Sequence, residues 1–244
     1  MKRASLFLVL IFLSFVCWVS FAESPEANET YDIKLKRSGL GLVVSAVLNG
    51  RAKRDFLVDT GASFVTISQA TAKALGIHID EDTPEVAVMT ASGWTVVPMT
   101  VLKRIVVGGA EVRNVETLIM DLPQRSEIDG LLGLTFLNKF KVSVDSSRGK
   151  LLLTSLKGKP SRERPGGYDR SYWSQQFRFY RNIIRQLEQS KTDMIRQVKK
   201  LGIKSHRCER QSKRLDKVIK YFQGQLNRLK RQAAHAGVPM HWRQ

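Results

Sequence analysis

The chain has little from which to build a metal centre or a cofactor site. Among its 244 residues are only four histidines and two cysteines. His78, His206, His235 and His241 show no ligand spacing with cysteines or carboxylates, so the sequence proposes no metal site and no cofactor. There is no glycine-rich phosphate loop, and Ser63 has no histidine near it in sequence to make it a nucleophile. Acidic residues are scarce in one part only. Residues 157–244 hold 23 Lys and Arg against 6 Asp and Glu, a net of +17, whereas residues 1–156 hold 17 against 16. No nucleic-acid motif accompanies that charge, which makes nucleic acid an unlikely partner.

What is present is organised around Phe56-Leu57-Val58-Asp59-Thr60-Gly61-Ala62-Ser63-Phe64-Val65-Thr66-Ile67. Two short apolar strands enclose a tight turn that carries one carboxylate. Flanked by Phe56 and Val58, Asp59 is expected to lose water, and a buried charge needs hydrogen bonds or a partner. Gly61 lets the backbone N–H approach the carboxylate, and the Thr60 hydroxyl adds a further polar group. Asp also caps ordinary turns, and the tripeptide alone does not separate the two readings. A second stretch follows, Ile128-Asp129-Gly130-Leu131-Leu132-Gly133-Leu134-Thr135-Phe136-Leu137, an apolar pair running into glycine and then a helix-like segment.

Together these stretches resemble the retropepsin-like aspartic proteases, in the bacterial secreted or periplasmic branch, over roughly residues 31 to 156. Asp59-Thr60-Gly61-Ala62-Ser63 matches the catalytic motif, and Leu131-Leu132-Gly133 matches the apolar-apolar-glycine motif that supports it. Ala91, Ser92, Gly93 and Trp94 look like the tip of the flap that covers the substrate. The resemblance implies a mostly β, single-lobe acid protease domain with Asp59 as its catalytic residue and a polypeptide as its substrate. Peptide hydrolysis of this kind needs two facing carboxylates, one as base and one as acid. A single Asp-Thr-Gly therefore implies a symmetric homodimer. Two departures matter. Ala62 stands where pepsin-like enzymes carry a hydroxyl, which implies a less acidic working range. Leu134 replaces the charged residue that helps retroviral dimers associate. The alternative is a non-catalytic peptide-binding module on the same fold.

Residues 1–22 read as a signal peptide, with Lys2 and Arg3 before an apolar run and Ser20 and Ala22 before a cut at Glu23. The expectation is an exported protein, periplasmic or secreted, or one anchored in the membrane if that segment is retained. Residues 23–30 form a leader, 31–156 the protease domain and 157–170 a linker rich in glycine and proline. Residues 171–231 form a basic helical region and 232–244 a C-terminal tail. In the helical region Tyr180, Leu187, Met194, Leu201, Cys208, Leu215, Phe222 and Leu229 recur every seven residues. The long tail is thus either a self-associating coiled coil or an antiparallel hairpin broken near Gly202 to His206. In a parallel coil Cys208 would face its own copy and could form an interchain disulfide; a buried or idle thiol is the alternative. The basic helix face fits an anionic envelope polymer or a membrane surface, or is simply solvated.

Overall fold

The computed structural model describes residues 28–38, 41–90, 93–122, 128–201 and 206–244. The signal peptide, most of the leader and Cys17 lie outside them, as do Ala91 and Ser92.

The strands begin with β1 (Thr30–Lys34), β2 (Lys36–Ser38), β3 (Gly41–Leu48) and β4 (Ala52–Val58). β3 and β4 form a hairpin whose turn takes Asn49 and Gly50 into positive φ, 49° and 69°, the geometry that suits an Asn-Gly pair. After β5 (Val65–Ile67) comes the short helix α1 (Gln69–Ala74), capped by the Ser68 hydroxyl, which accepts from the Thr71 N–H at 3.1 Å. β6 (Glu85–Thr90) and β7 (Gly93–Val107) make the next hairpin. β7 is one continuous strand of 15 residues. Its first half pairs with β6 as far as Pro98, and from Met99 it pairs with β8 (Ala110–Ile119). Proline, which has no N–H to give, thus sits where one ladder ends and the next begins.

The remaining elements are β9 (Gly130–Leu132), α2 (Leu134–Leu137), β10 (Phe140–Asp145) and β11 (Lys150–Ser155). The main sheet has the order β2-β3-β4-β9-β5-β8-β7-β6, and β3 also pairs with β7, while β1, β11 and β10 form a second sheet. Phe56, Leu48, Ile67, Leu102, Ile105, Leu132 and Phe136 fill the core between them.

The tail forms two long helices, α3 (Arg170–Leu201) and α4 (His206–His235), which pack on each other. They run antiparallel: Lys191 pairs with Asp216 at 2.5 Å, and further from the turn Gln223 donates to Glu188 at 3.5 Å. Of the two arrangements expected, this is the hairpin. Leu187, Leu215, Phe222 and Leu229, the side chains of the heptad run, are buried inside one chain, so that face is spent internally and does not form a parallel coil. The Cys208 side chain lies outside the described residues. Nor does the hairpin stand apart. Ile183, Leu187, Leu215, Val218 and Phe222 share one apolar cluster with Phe64, Val86, Val97, Met99 and Leu118 of the β domain. Beyond α4, Val238 and Trp242 pack back against the start of α3, where the Ser174 hydroxyl donates to the Trp242 carbonyl at 3.0 Å.

Candidate active site

Asp59 follows β4, and the chain turns through Thr60 to Ser63 before entering β5. Between the two flanking strands lies β9, parallel to β4 and antiparallel to β5. Leu131 stands opposite both Leu57 and Thr66, so the apolar-apolar-glycine motif is wedged between the two arms of the catalytic turn. The Asp59 N–H donates to the Leu132 carbonyl at 3.2 Å, and the Leu134 N–H donates to the Ala62 carbonyl at 2.8 Å. Gly133 permits this approach. A Cβ there would lie 2.2 Å from the Phe64 carbonyl oxygen and 2.7 Å from that of Ala62. A Cβ at Gly130 would similarly lie 2.1 Å from the Thr66 carbonyl oxygen.

The Asp59 carboxylate is held by its own turn. Gly61 N–H donates to Oδ1 at 2.8 Å and Ala62 N–H to the same oxygen at 3.2 Å. These bonds aim the side chain. Within one chain Asp59 is half-buried, not buried as its apolar neighbours suggested. Phe56 is fully covered, whereas Val58 is half-exposed and Thr60 and Gly61 are exposed. The turn stands at the surface of the single subunit, and the Thr60 hydroxyl makes no bond to Asp59.

One residue that sequence reading passed over, Thr135, fixes this turn from behind. Thr135 Oγ1 accepts from the buried Val65 N–H at 2.9 Å and donates to the Glu116 carbonyl at 2.9 Å, joining β5, α2 and β8. The only sequence signal is a hydroxyl inside an apolar stretch. Asp129 ties its own segment to β4: Oδ2 accepts from the Asp55 N–H at 2.9 Å, and its own N–H donates to the Asp55 carbonyl at 2.7 Å. The β6–β7 hairpin carries the residues expected at the flap tip. Thr90 pairs with Gly93 and Met89 with Trp94, and Gly93 has φ +107°, a conformation that suits glycine. Ala91, Ser92 and the Trp94 side chain lie outside the described residues. Among the described residues no group of His, Cys, Asp and Glu is gathered as metal ligands.

A second polar cluster lies where the helices meet the β domain. Glu116, 6% exposed, accepts from the Tyr221 hydroxyl at 3.3 Å. Burial pushes its carboxyl above the ordinary glutamate range, an effect that nearby Lys139 and Tyr221 oppose. Burial likewise lowers the Lys139 ammonium, which donates to Gln176 Oε1 at 2.9 Å and lies 5.5 Å from the Tyr172 ring centroid. Tyr168, stacked on Tyr172, is pushed up to about 12 by burial and by its neighbour. Nothing in the sequence marked these residues as companions.

Residues 44–136 match a family model described as aspartyl protease. The structure is also similar to the crystal structure of a retropepsin-like aspartic protease from Rickettsia conorii, with 27% identity, 53% of this chain and 94% of that chain covered, and a TM-score of 0.42. A search of curated proteins finds no match. The matched residues include both Asp59 and the supporting Leu131-Leu132-Gly133 motif. The family-model match supports an aspartic-type hydrolase.

Proposed function

We propose that the chain is an exported, homodimeric aspartic endopeptidase in which Asp59 from each of two subunits meets at a two-fold axis. One Asp59 is ionised and takes a proton from a bound water as that water attacks the scissile carbonyl. The other holds a proton and gives it to the substrate, so the bond breaks without a cofactor. Thr60 and Gly61 orient the pair, Leu131, Leu132 and Gly133 brace it, and the flap around Gly93 closes over an extended peptide. The observation that carries the reading is the single carboxylate, bonded twice through Oδ1 on a turn clamped by β9 and open to a partner. The proposed export rests on residues 1–22.

The test is cleavage of a diverse peptide library by the mature protein across about pH 3 to 8, with Asp59→Asn beside it. Cleavage that vanishes in the variant supports the assignment. Activity that survives it overturns the role of Asp59.

A second reading draws on α4, where Arg210, Lys213, Lys217, Lys220 and Arg231 are all exposed at three- and four-residue multiples along one face. This stripe supports attachment to an anionic envelope polymer or membrane surface, with the protease fold serving as a peptide-binding module. Among the described residues no helix is long and apolar enough to cross a membrane. Retention on anionic vesicles that weakens steeply with salt would support that attachment. Retention without turnover would favour the module over the enzyme.

A further inference from the structure

We propose that the C-terminal helical hairpin is the end wall of the substrate groove, filling its outer part with Phe179 and Phe222 and so limiting how far a bound peptide can extend. The proposal rests on the reading that peptide binds between Asp59 and the β6–β7 flap.

The hairpin touches both sides of that groove. From the catalytic side it takes Phe64, which leaves the Asp59 turn and is 5% exposed. The Phe64 ring centroid lies 6.1 Å from that of Phe179 and 6.1 Å from that of Phe222. From the flap side it takes Val86, Val97 and Met99, with Val88 packed against the same cluster. Residues on opposite sides of the proposed groove therefore meet on one pair of helices.

Polar contacts hold the flap base in place as well. Arg214 pairs with Glu85, the first residue of β6, at 2.9 Å and donates through Nε to the Glu81 carbonyl at 2.8 Å. Lys217 pairs with Asp82 at 2.6 Å. Ion pairs that keep contact with solvent add little each. The apolar cluster is the larger contribution, since Phe222 is fully buried in it. The wall is thus part of the folded domain.

It is a wall and not a plug because of where burial stops. Phe64 is covered, yet Asp59 remains half-exposed and Thr60 and Gly61 are exposed. The helices cover the flank of the groove and leave the carboxylate open. Phe179, itself half-buried, stands at the edge between the two zones. In a symmetric dimer the second copy closes the opposite end, so the favoured substrate is a short extended stretch or an exposed loop, not a long strand laid through an open channel.

The test uses full-length Asp59→Asn protein, which binds without turnover, and random peptide pools of about six, ten and fourteen residues, at about 3.3 Å per extended residue. The retained fraction of each pool is read by mass spectrometry. The wall predicts that retention stops rising beyond the short pool. In the same background Phe179→Ala should raise retention of the longest pool about tenfold relative to the shortest, and Phe179→Trp should not. Retention that climbs with length in the parent protein overturns the wall, as does a length profile that neither substitution changes or the absence of binding by any pool. Cleavage by protein with Asp59 intact is scored separately. Length-limited binding without cleavage would reject the peptidase while keeping the wall, and cleavage indifferent to length would do the reverse.

Discussion

Replacing Thr135 with valine tests how the catalytic turn is held. Valine has nearly the shape of threonine but neither donates nor accepts, so the substitution removes two 2.9 Å bonds with little change in packing. It leaves the Val65 N–H, on a residue with 0% exposure, without its partner. An orphaned buried donor costs about 1–3 kcal/mol. The Glu116 carbonyl also loses a donor but has a second lone pair, so its share is smaller, and about 2–4 kcal/mol in all is expected. For a chain of this length that lowers the melting temperature by roughly 5–15 °C. Urea unfolding of Thr135→Val and of Thr135→Ser, which keeps the hydroxyl, separates bonding from packing. If the bond matters as argued, the serine variant stays within about 1 kcal/mol of the parent and the valine variant does not. Under the proposed function, peptide cleavage should fall in the valine variant even where it remains folded, because Val65 follows directly from the Asp59 turn. Equal stability of the two variants would refute the reasoning.

Glu116→Gln should stabilise the protein at neutral pH and do so less in acid. A carboxyl whose folded pKa is raised contributes stability below the ordinary value of 4.5 and loses it as pH climbs through the folded value. Glutamine keeps an acceptor for Tyr221 and escapes that loss, about 1.4 kcal/mol per pH unit of elevation. Urea midpoints near pH 4 and pH 8 check this, and a gap that does not widen with pH would refute it. Truncation after Leu156 should leave a β domain that aggregates or binds a hydrophobic dye. It uncovers Phe64, Val86, Val97, Met99 and Leu118. Even a third of about 1.5–3 kcal/mol for each is a large part of a typical stability of ~5–15 kcal/mol. A monomeric, cooperatively folding fragment would contradict it.

Local signals made the turn around Asp59 legible. Alternating apolar residues, Asn49-Gly50 and the glycines at 61 and 133 each describe a neighbourhood of a few residues, and in the fold those neighbourhoods are as read. The tail was legible only as helix. Its heptad run describes an apolar stripe but says nothing of what lies opposite, and a hairpin uses such a stripe as well as a coil does. Phe64 shows the limit most clearly. In sequence it is one more apolar residue entering a strand, yet its cover comes from Phe179 and Phe222, far along the chain. Nothing near Glu116 or Lys139 in sequence marks them as facing the tail. Their burial follows from the docking of α3 and α4, a tertiary event that periodicity does not encode.

Glu116 is the point where the two parts of the molecule are joined. Its carbonyl receives the Thr135 hydroxyl, which braces the strand leaving the Asp59 turn, while its carboxyl receives the Tyr221 hydroxyl from α4. One residue of β8 is therefore tied at the backbone to the catalytic turn and at the side chain to the hairpin. Lys139, on the turn between α2 and β10, reaches α3 through Gln176. Buried charges of this sort add little net stability, because desolvation offsets much of what their contacts supply. What they do impose is orientation, since a shifted helix pair would leave the buried Glu116 without Tyr221 and the half-buried Lys139 without Gln176. An apolar interface alone would tolerate sliding by a fraction of a turn. With these two charges in the seam, the register that brings Phe179 against Phe64 is the one that leaves neither charge stranded.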